Sequence, residues 1–315
     1  MKKVTLLFPG QGSQYVGMGK SLYDIPEAKA VFEKANSALG FDITSLCFEG
    51  PEDKLKLTEF TQPAIVTHSI ALYEVLKTKL AEYGYEVQRV LGHSVGEYAA
   101  LVAAGTLKFE DAVKAVNLRG KYMQEAVPAG QGKMYAILRV PGDIVAQACA
   151  EVSNETEQVM CANFNDPTQV VISGHAAATD KAVEWLKENY EGKQMAKELA
   201  VSAPFHSSLM GPAETKLQEF LSTIEFSPNT TAYIANIDAK EYKTDGQTIK
   251  NNLIKQVCGS VLWTQSLTTL ADNELFLEVG PGKVLSGLNK RINKTFNTYT
   301  LDSDGGFEGL SEFLI

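Results

Sequence analysis

The chain has 315 residues, of which 44% are hydrophobic and 21% charged, and carries a formal net charge of −9 at pH 7. That size and balance suit one large globular domain or two modest ones, and argue against nucleic acid as the main partner. No apolar run approaches the ~20 residues that a membrane-spanning helix needs.

The opening MKKVTLLFPGQGSQ has five residues between its lysines and Pro9, too few for the apolar region of a signal peptide. It reads as the first strand (4–8) of a cytoplasmic protein. Residues 28–39 and 64–83 have helical periodicity, and 87–91 is strand-like again. Gly92-His93-Ser94-Val95-Gly96 follows, then a helix-forming run over 97–104. G-x-S-x-G between a strand and a helix predicts a sharp turn that lifts the Ser94 hydroxyl clear of the sheet, a nucleophile elbow. The plain alternative is an ordinary turn that happens to hold a serine.

A helix over 109–127 places Ala112, Val113, Val116 and Met123 on one face. This alternation of strands and helices predicts an α/β fold with a mainly parallel sheet covered by helices. From Gly130 the rhythm changes. Strand 133–140, helix 142–152, strands 158–164 and 169–173, helix 177–190 and strand 194–201 spell β-α-β-β-α-β, the ferredoxin-like order. The expectation is a small subdomain, 130–201, inserted into a large one formed by 1–129 and 202–315. The large part resumes with helix 212–223, strand 231–237, helix 248–256 and strand 275–279.

A serine hydroxyl needs a base at neutral pH. Of the four histidines, His93 adjoins the turn and reads as packing beside it, and His68 lies in an apolar helix. His175 follows Gly174 in a polar turn. His206, in SAPFHSSLM, sits where the chain returns from the small subdomain, a common place for a cleft. No acid after Ser94 stands out as a third member: Asp111, Asp143, Asp166 and Asp180 lack distinctive surroundings, and a backbone carbonyl orients a histidine as well. The loop 8–14, FPGQGSQ, fails both nucleotide fingerprints, because Tyr15 replaces the third glycine and no Gly-Lys-Ser/Thr follows. Its N–H groups, with that of Val95, suit an oxyanion; a tight turn is the plain alternative. Arg119 follows apolar Ala115, Val116 and Leu118. It is either a carboxylate clamp or a surface arginine. The four cysteines (Cys47, Cys149, Cys161, Cys258) form no C-x-x-C and read as packed thiols in a reducing compartment. The histidines show no metal-ligand spacing, so no metal is expected.

These motifs together resemble one family, the malonyl-coenzyme A:acyl carrier protein transacylases of fatty acid synthesis and the related acyltransferases of polyketide synthases. The likeness is carried by FPGQGSQ (8–14), TQPA (61–64), GHSVGEYAAL (92–101) and LRGKYMQEAVP (118–128). It continues in NDPTQVVISG (165–174), APFHSSLM (203–210) and EVGPGKVLSGL (278–288). The resemblance implies an α/β-hydrolase-like core with an inserted ferredoxin-like subdomain. It implies Ser94 as acyl-accepting nucleophile, His206 as base, the N–H groups of Gln11 and Val95 as oxyanion hole, and Arg119 as partner of the malonyl carboxylate. Phe205 and Met123 become pocket walls; Phe205 and Val95 both lean toward malonyl over methylmalonyl. In some relatives a Gln carbonyl orients the histidine from the segment matching 261–264; the matching residue here is Leu262.

The implied reaction carries a malonyl group from malonyl-CoA to the phosphopantetheine thiol of acyl carrier protein through a malonyl-serine, with no bound cofactor. A basic docking cluster for an acidic carrier is sought at Lys283, Lys290, Arg291 and Lys294, which also read as a solvated helix face. The rivals are a polyketide-synthase acyltransferase acting in trans, a Ser–His acyl hydrolase, and a non-catalytic docking subunit.

Overall fold

The computed structural model describes residues 1–201, 203–243 and 245–314. Its strands are β1 (Lys2–Phe8), β2 (Tyr85–Gly92), β3 (Gly132–Leu138), β4 (Val159–Asp166), β5 (Gln169–His175), β6 (Met195–Glu198), β7 (Ala232–Ile234), β8 (Glu241–Tyr242), β9 (Leu275–Val279) and β10 (Asn297–Leu301). They form two sheets. The first has the order β10-β9-β1-β2-β7-β8 and is parallel except for β8 at its edge. Its central strand β1 reads VTLLF from Val4 and is wholly buried, as a parallel strand covered on both faces must be.

The second sheet is antiparallel, in the order β4-β5-β3-β6, with β3 and β5 paired from Gly132–His175 to Leu138–Gln169. Helices Gly142–Val152 and Ala176–Asn189 pack on it around Ile137, Val145, Ala148, Ile172, Ala182 and Leu186, a core separate from that of the first sheet. The proposed boundary between the subdomains falls beside Ser202, which lies outside the described residues. The two parts are stitched by main-chain bonds. Val261 N–H donates to Ala162 (2.8 Å) and Phe164 N–H donates to Val261 (2.9 Å).

Two close approaches dictate the turn after β2. A Cβ on Gly92 would lie 2.0 Å from the Gly96 carbonyl, and one on Gly96 would lie 2.1 Å from the Phe8 carbonyl. Only hydrogen fits at both, so the strand, the turn and the helix Gly96–Ala103 pack in contact with β1. Ser94 between them takes φ 51°, the left-handed conformation that an elbow requires.

The helix expected over 64–83 begins earlier, running Thr58–Glu82 with Pro63 inside it. Pro63 has no N–H, so the Glu59 carbonyl one turn back loses its helical partner. Asn117 of the helix Phe109–Glu125 supplies the replacement, donating its Nδ2 to Glu59 O at 2.7 Å. One turn on, Gly120 lets the two helices touch, since a Cβ there would lie 2.5 Å from Thr58 O. This docking sets the height of Arg119, which lies between the two contacts. The helix Val284–Ile292 matches the helix-face reading of 283–294, whereas β10 and the helix Gly306–Leu314 were not anticipated as elements.

Replacing Asn117 by alanine leaves a carbonyl without a donor and is expected to cost about 1–3 kcal/mol of stability. Urea unfolding of the two proteins measures this, and a loss under ~0.5 kcal/mol would mean that water satisfies Glu59 instead.

Candidate active site

The elbow, the Gly10 loop and the segment that returns from the small subdomain converge on one cavity of about 120 Å³. Ser94 and His206 meet there from 112 positions apart, with Oγ and Nε2 separated by 2.7 Å. His206 Nδ1 faces two carbonyl oxygens, Gln256 O at 2.9 Å and Gly259 O at 3.1 Å. Carbonyls only accept, so the ring proton sits on Nδ1 and Nε2 is left free to accept from Ser94. Among the described residues no carboxylate bonds to His206. Of the acids considered, Asp166 is bonded to Arg291 and Thr168, and Asp180 to Lys133 and Tyr135.

The expectation for Leu262 is corrected here. Its carbonyl begins the helix Trp263–Thr268 and accepts from Ser266, while its N–H donates to Asn236. A helix-capping carbonyl is already committed, and the orienting oxygens lie earlier, at Gln256 and Gly259.

Arg119 is 1% exposed. Nη1 donates to Gln62 Oε1 at 2.9 Å, and Nη2 donates to Gln256 Oε1 at 2.9 Å and to Ser94 Oγ at 3.2 Å. Its guanidinium carbon lies 5.9 Å from the Tyr98 ring centre. Among the described residues it has no ion pair, and its Nε has no hydrogen-bond partner. A buried cation met only by neutral amides and a hydroxyl is costly, and it faces a cavity.

Gly10 packs so tightly on the elbow that a Cβ would lie 2.6 Å from His93 O. This brings Gln11 to the cavity wall. Among the described residues neither Gln11 N–H nor Val95 N–H enters a hydrogen bond. Met123 and Phe205 are buried and line the cavity with Met134 and Leu199. His93 packs beside the turn, its Nε2 2.8 Å from Asn165 Oδ1 and its ring tilted on Trp263. His68 is buried, and His175 accepts from Gln158 N–H in the small subdomain. Lys283, Lys290, Arg291 and Lys294 are all exposed, and Arg291 is engaged with Asp166 at 2.6 Å.

Four residues at the site escaped the sequence reading. Gln62 stood in the TQPA motif and Glu97 in GHSVGEYAAL, both noticed only as motif text. Gln256 and Asn236 carry no local signal. Asn236 Oδ1 accepts Ser94 N–H at 2.8 Å and its Nδ2 donates to Gly92 O at 2.7 Å, bracing the elbow. Burial pushes the Glu97 carboxyl up to about 7, against the hydrogen bonds from Tyr233, Asn236 and Gln256 that favour its ionised form.

A strand–helix elbow bearing serine, a neutral imidazole on its hydroxyl and free N–H groups beside it define an α/β protein of serine acyl-transfer type. The whole-chain comparisons agree. The model of the acyl transferase domain matches residues 5–294, and the chain belongs to that family. It is 45% identical to the malonyl CoA-acyl carrier protein transacylase of Bacillus subtilis, over 95% of this chain and 93% of that protein. The crystal structure of the Clostridium perfringens transacylase superposes with a TM-score of 0.90 at 40% identity, covering 100% of this chain and 97% of that one. A malonyl-transacylase solved in complex with its type II PKS acyl-carrier protein superposes with a TM-score of 0.91 at 37% identity, covering 99% of each.

Burial, and secondly the Arg119 cation, hold the His206 imidazole down at about 3. An unfolded chain takes up that proton near pH 6.5, whereas the folded one does not until far lower. The contribution is therefore present above pH 6.5 and is lost as the pH falls toward 3. Relative to His206→Ala, the parent protein should lose about 2 kcal/mol of stability between pH 7.5 and pH 5. Urea unfolding of both at the two pH values tests this, and parallel losses would place the titration elsewhere.

Proposed function

We propose that the chain transfers a malonyl group from malonyl-CoA to the phosphopantetheine thiol of acyl carrier protein, through a malonyl ester on Ser94. The observation that carries the reading is Arg119, a buried cation with no direct ion pair among the described residues, within 3.2 Å of the candidate nucleophile. The malonyl carboxylate supplies a directly paired anion, and the guanidinium fork suits it.

The steps follow from the geometry. Ser94 Oγ attacks the thioester carbonyl carbon while its proton passes to His206 Nε2. The carbonyl oxygen becomes an oxyanion held by the N–H groups of Gln11 and Val95, each such donor being worth roughly 3–4 kcal/mol in a well-studied protease. The C–S bond breaks, coenzyme A leaves as the thiol with the proton from His206, and Ser94 is left malonylated. The carrier's thiol then repeats the sequence in reverse sense, giving its proton to His206 and returning Ser94 its own. The walls formed by Met123 and Phe205 keep water from the ester. Both thioesters are substrates, and the cycle draws on no resident cofactor or metal.

Malonate also helps the base. Once its carboxylate pairs with Arg119, the repulsion of that cation on His206 falls and the imidazolium formed in the transition state is favoured. Acetyl gives no such relief and leaves the guanidinium unpaired, which disfavours it twice. A simple acyl hydrolase has no use for this cation.

We place the reaction in the cytoplasm, in fatty acid biosynthesis, and four free thiols accord with a reducing compartment. The likeness to a transacylase solved with a type II PKS carrier supports a second reading, supply of a polyketide synthase. Transfer rates to the two classes of holo-carrier separate them.

Intact mass after brief mixing with malonyl-CoA should show one malonyl adduct, absent in Ser94→Ala and discharged by holo-carrier. Discharge to water ahead of the carrier would favour the hydrolase. Arg119→Ala should lower the malonyl-to-acetyl loading ratio by roughly 100-fold or more. An unchanged ratio would remove the carboxylate role from Arg119.

A further inference from the structure

We propose that Glu97 is a positioning residue for acyl selection: its carboxylate dictates which end of the Gln256 side-chain amide faces Arg119, and so holds the guanidinium toward the acyl cavity. The inference rests on the reading of Arg119 as the partner of the malonyl carboxylate.

Glu97 lies three residues after Ser94 in the first turn of helix Gly96–Ala103 and is buried. Its Oε1 accepts the Tyr233 hydroxyl and the Asn236 N–H, the latter at 2.9 Å. Its Oε2 accepts from Gln256 Nε2. The other Nε2 hydrogen goes to Ser94 O at 2.9 Å. Both donor hydrogens of the amide are thereby used on groups that only accept. Oε1 of Gln256 is left on the opposite side, where Arg119 Nη2, which only donates, meets it at 2.9 Å.

The polarity of this relay has one consistent arrangement. Reversing the amide would set an N–H against the guanidinium and an oxygen against both Ser94 O and the carboxylate, three unfavourable contacts in a buried place. Gln256 also orients His206 through its main-chain carbonyl at 2.9 Å. One residue thus holds the base with its backbone and the cation with its side chain, and Glu97 sets the second of these.

Glu97→Gln is nearly isosteric and tests the polarity. Tyr233 and Asn236 are donors, so they keep the new amide's oxygen, and its NH₂ then faces Gln256 Nε2. Whichever amide turns, a donor meets a donor or Arg119 loses its acceptor. At pH 8, where the Glu97 carboxyl, raised by burial to about 7, is ionised, single-turnover loading of Ser94 from malonyl-CoA and from acetyl-CoA is followed by intact mass. Glu97→Gln should raise the malonyl-CoA half-saturation and lower the malonyl-to-acetyl ratio about tenfold or more. Tyr233→Phe removes a donor from the other oxygen of the same buried carboxylate and leaves the relay intact. It should lower the melting temperature comparably and keep the ratio.

A ratio unchanged in Glu97→Gln but collapsed in Arg119→Ala would overturn the role of Glu97 and leave that of Arg119 standing. An unchanged ratio in Arg119→Ala would overturn both. Equal erosion of the ratio in Tyr233→Phe and Glu97→Gln would reduce Glu97 to general support of the core. Should Glu97→Gln not fold, Gln256→Met carries the test, because deleting the amide predicts the same loss and a retained ratio refutes the relay.

Discussion

A guanidinium buried without a direct ion pair among the described residues is the constraint around which the centre of this molecule is arranged. Removing a cation from water is costly, and two glutamine oxygens, a serine hydroxyl and the face of Tyr98 offset only part of that cost. What remains is an electrostatic preference for an anion at one side of the cavity. Burial, seconded by the same field, keeps His206 neutral, which is the state a base must have before the reaction begins. Arg119 thus contributes both to selection of an acidic acyl group and to readiness of the base.

Holding that cation in place requires a rigid surround. Pro63 interrupts the hydrogen-bond ladder of one long helix, and Asn117 repairs the gap from another. Gly120 removes the side chain that would keep the two helices apart. Across the cavity, the elbow is fixed by contacts in which glycine hydrogens touch carbonyl groups, and Asn236 bonds to the backbone on both sides of His93. A turn so over-determined tolerates the positive φ of Ser94. The hydroxyl is aimed by backbone packing and not by its own side-chain freedom.

Orientation of the histidine by two carbonyls in place of a carboxylate fits the same electrostatics. A carboxylate at that position would compete for the field of Arg119 and weaken its preference for the acyl group. A neutral acceptor fixes the tautomer without adding charge. The Glu97 carboxylate acts on the cation through space but is kept from pairing with it directly by the Gln256 amide, which lies between them.

The local sequence by itself determined the elements whose chemistry is written in short range. The strand–elbow–helix around Ser94, the β-α-β-β-α-β order of 130–201 and the candidacy of His206 and Arg119 were legible, because glycine spacing, period-two and period-3.6 apolar patterns and apolar flanks are local signals. The early start of the helix carrying Pro63 was not legible, because its repair comes from Asn117, 54 positions after the proline. The histidine's orienting carbonyls were sought at Leu262 and lie at Gln256 and Gly259, since any residue offers a carbonyl and no side chain marks which one turns inward. Whether Arg119 was a surface residue or a buried cation was also left open by its neighbours. Only the tertiary structure decided it, because burial and the pairing of amide ends depend on which distant helices close over a side chain.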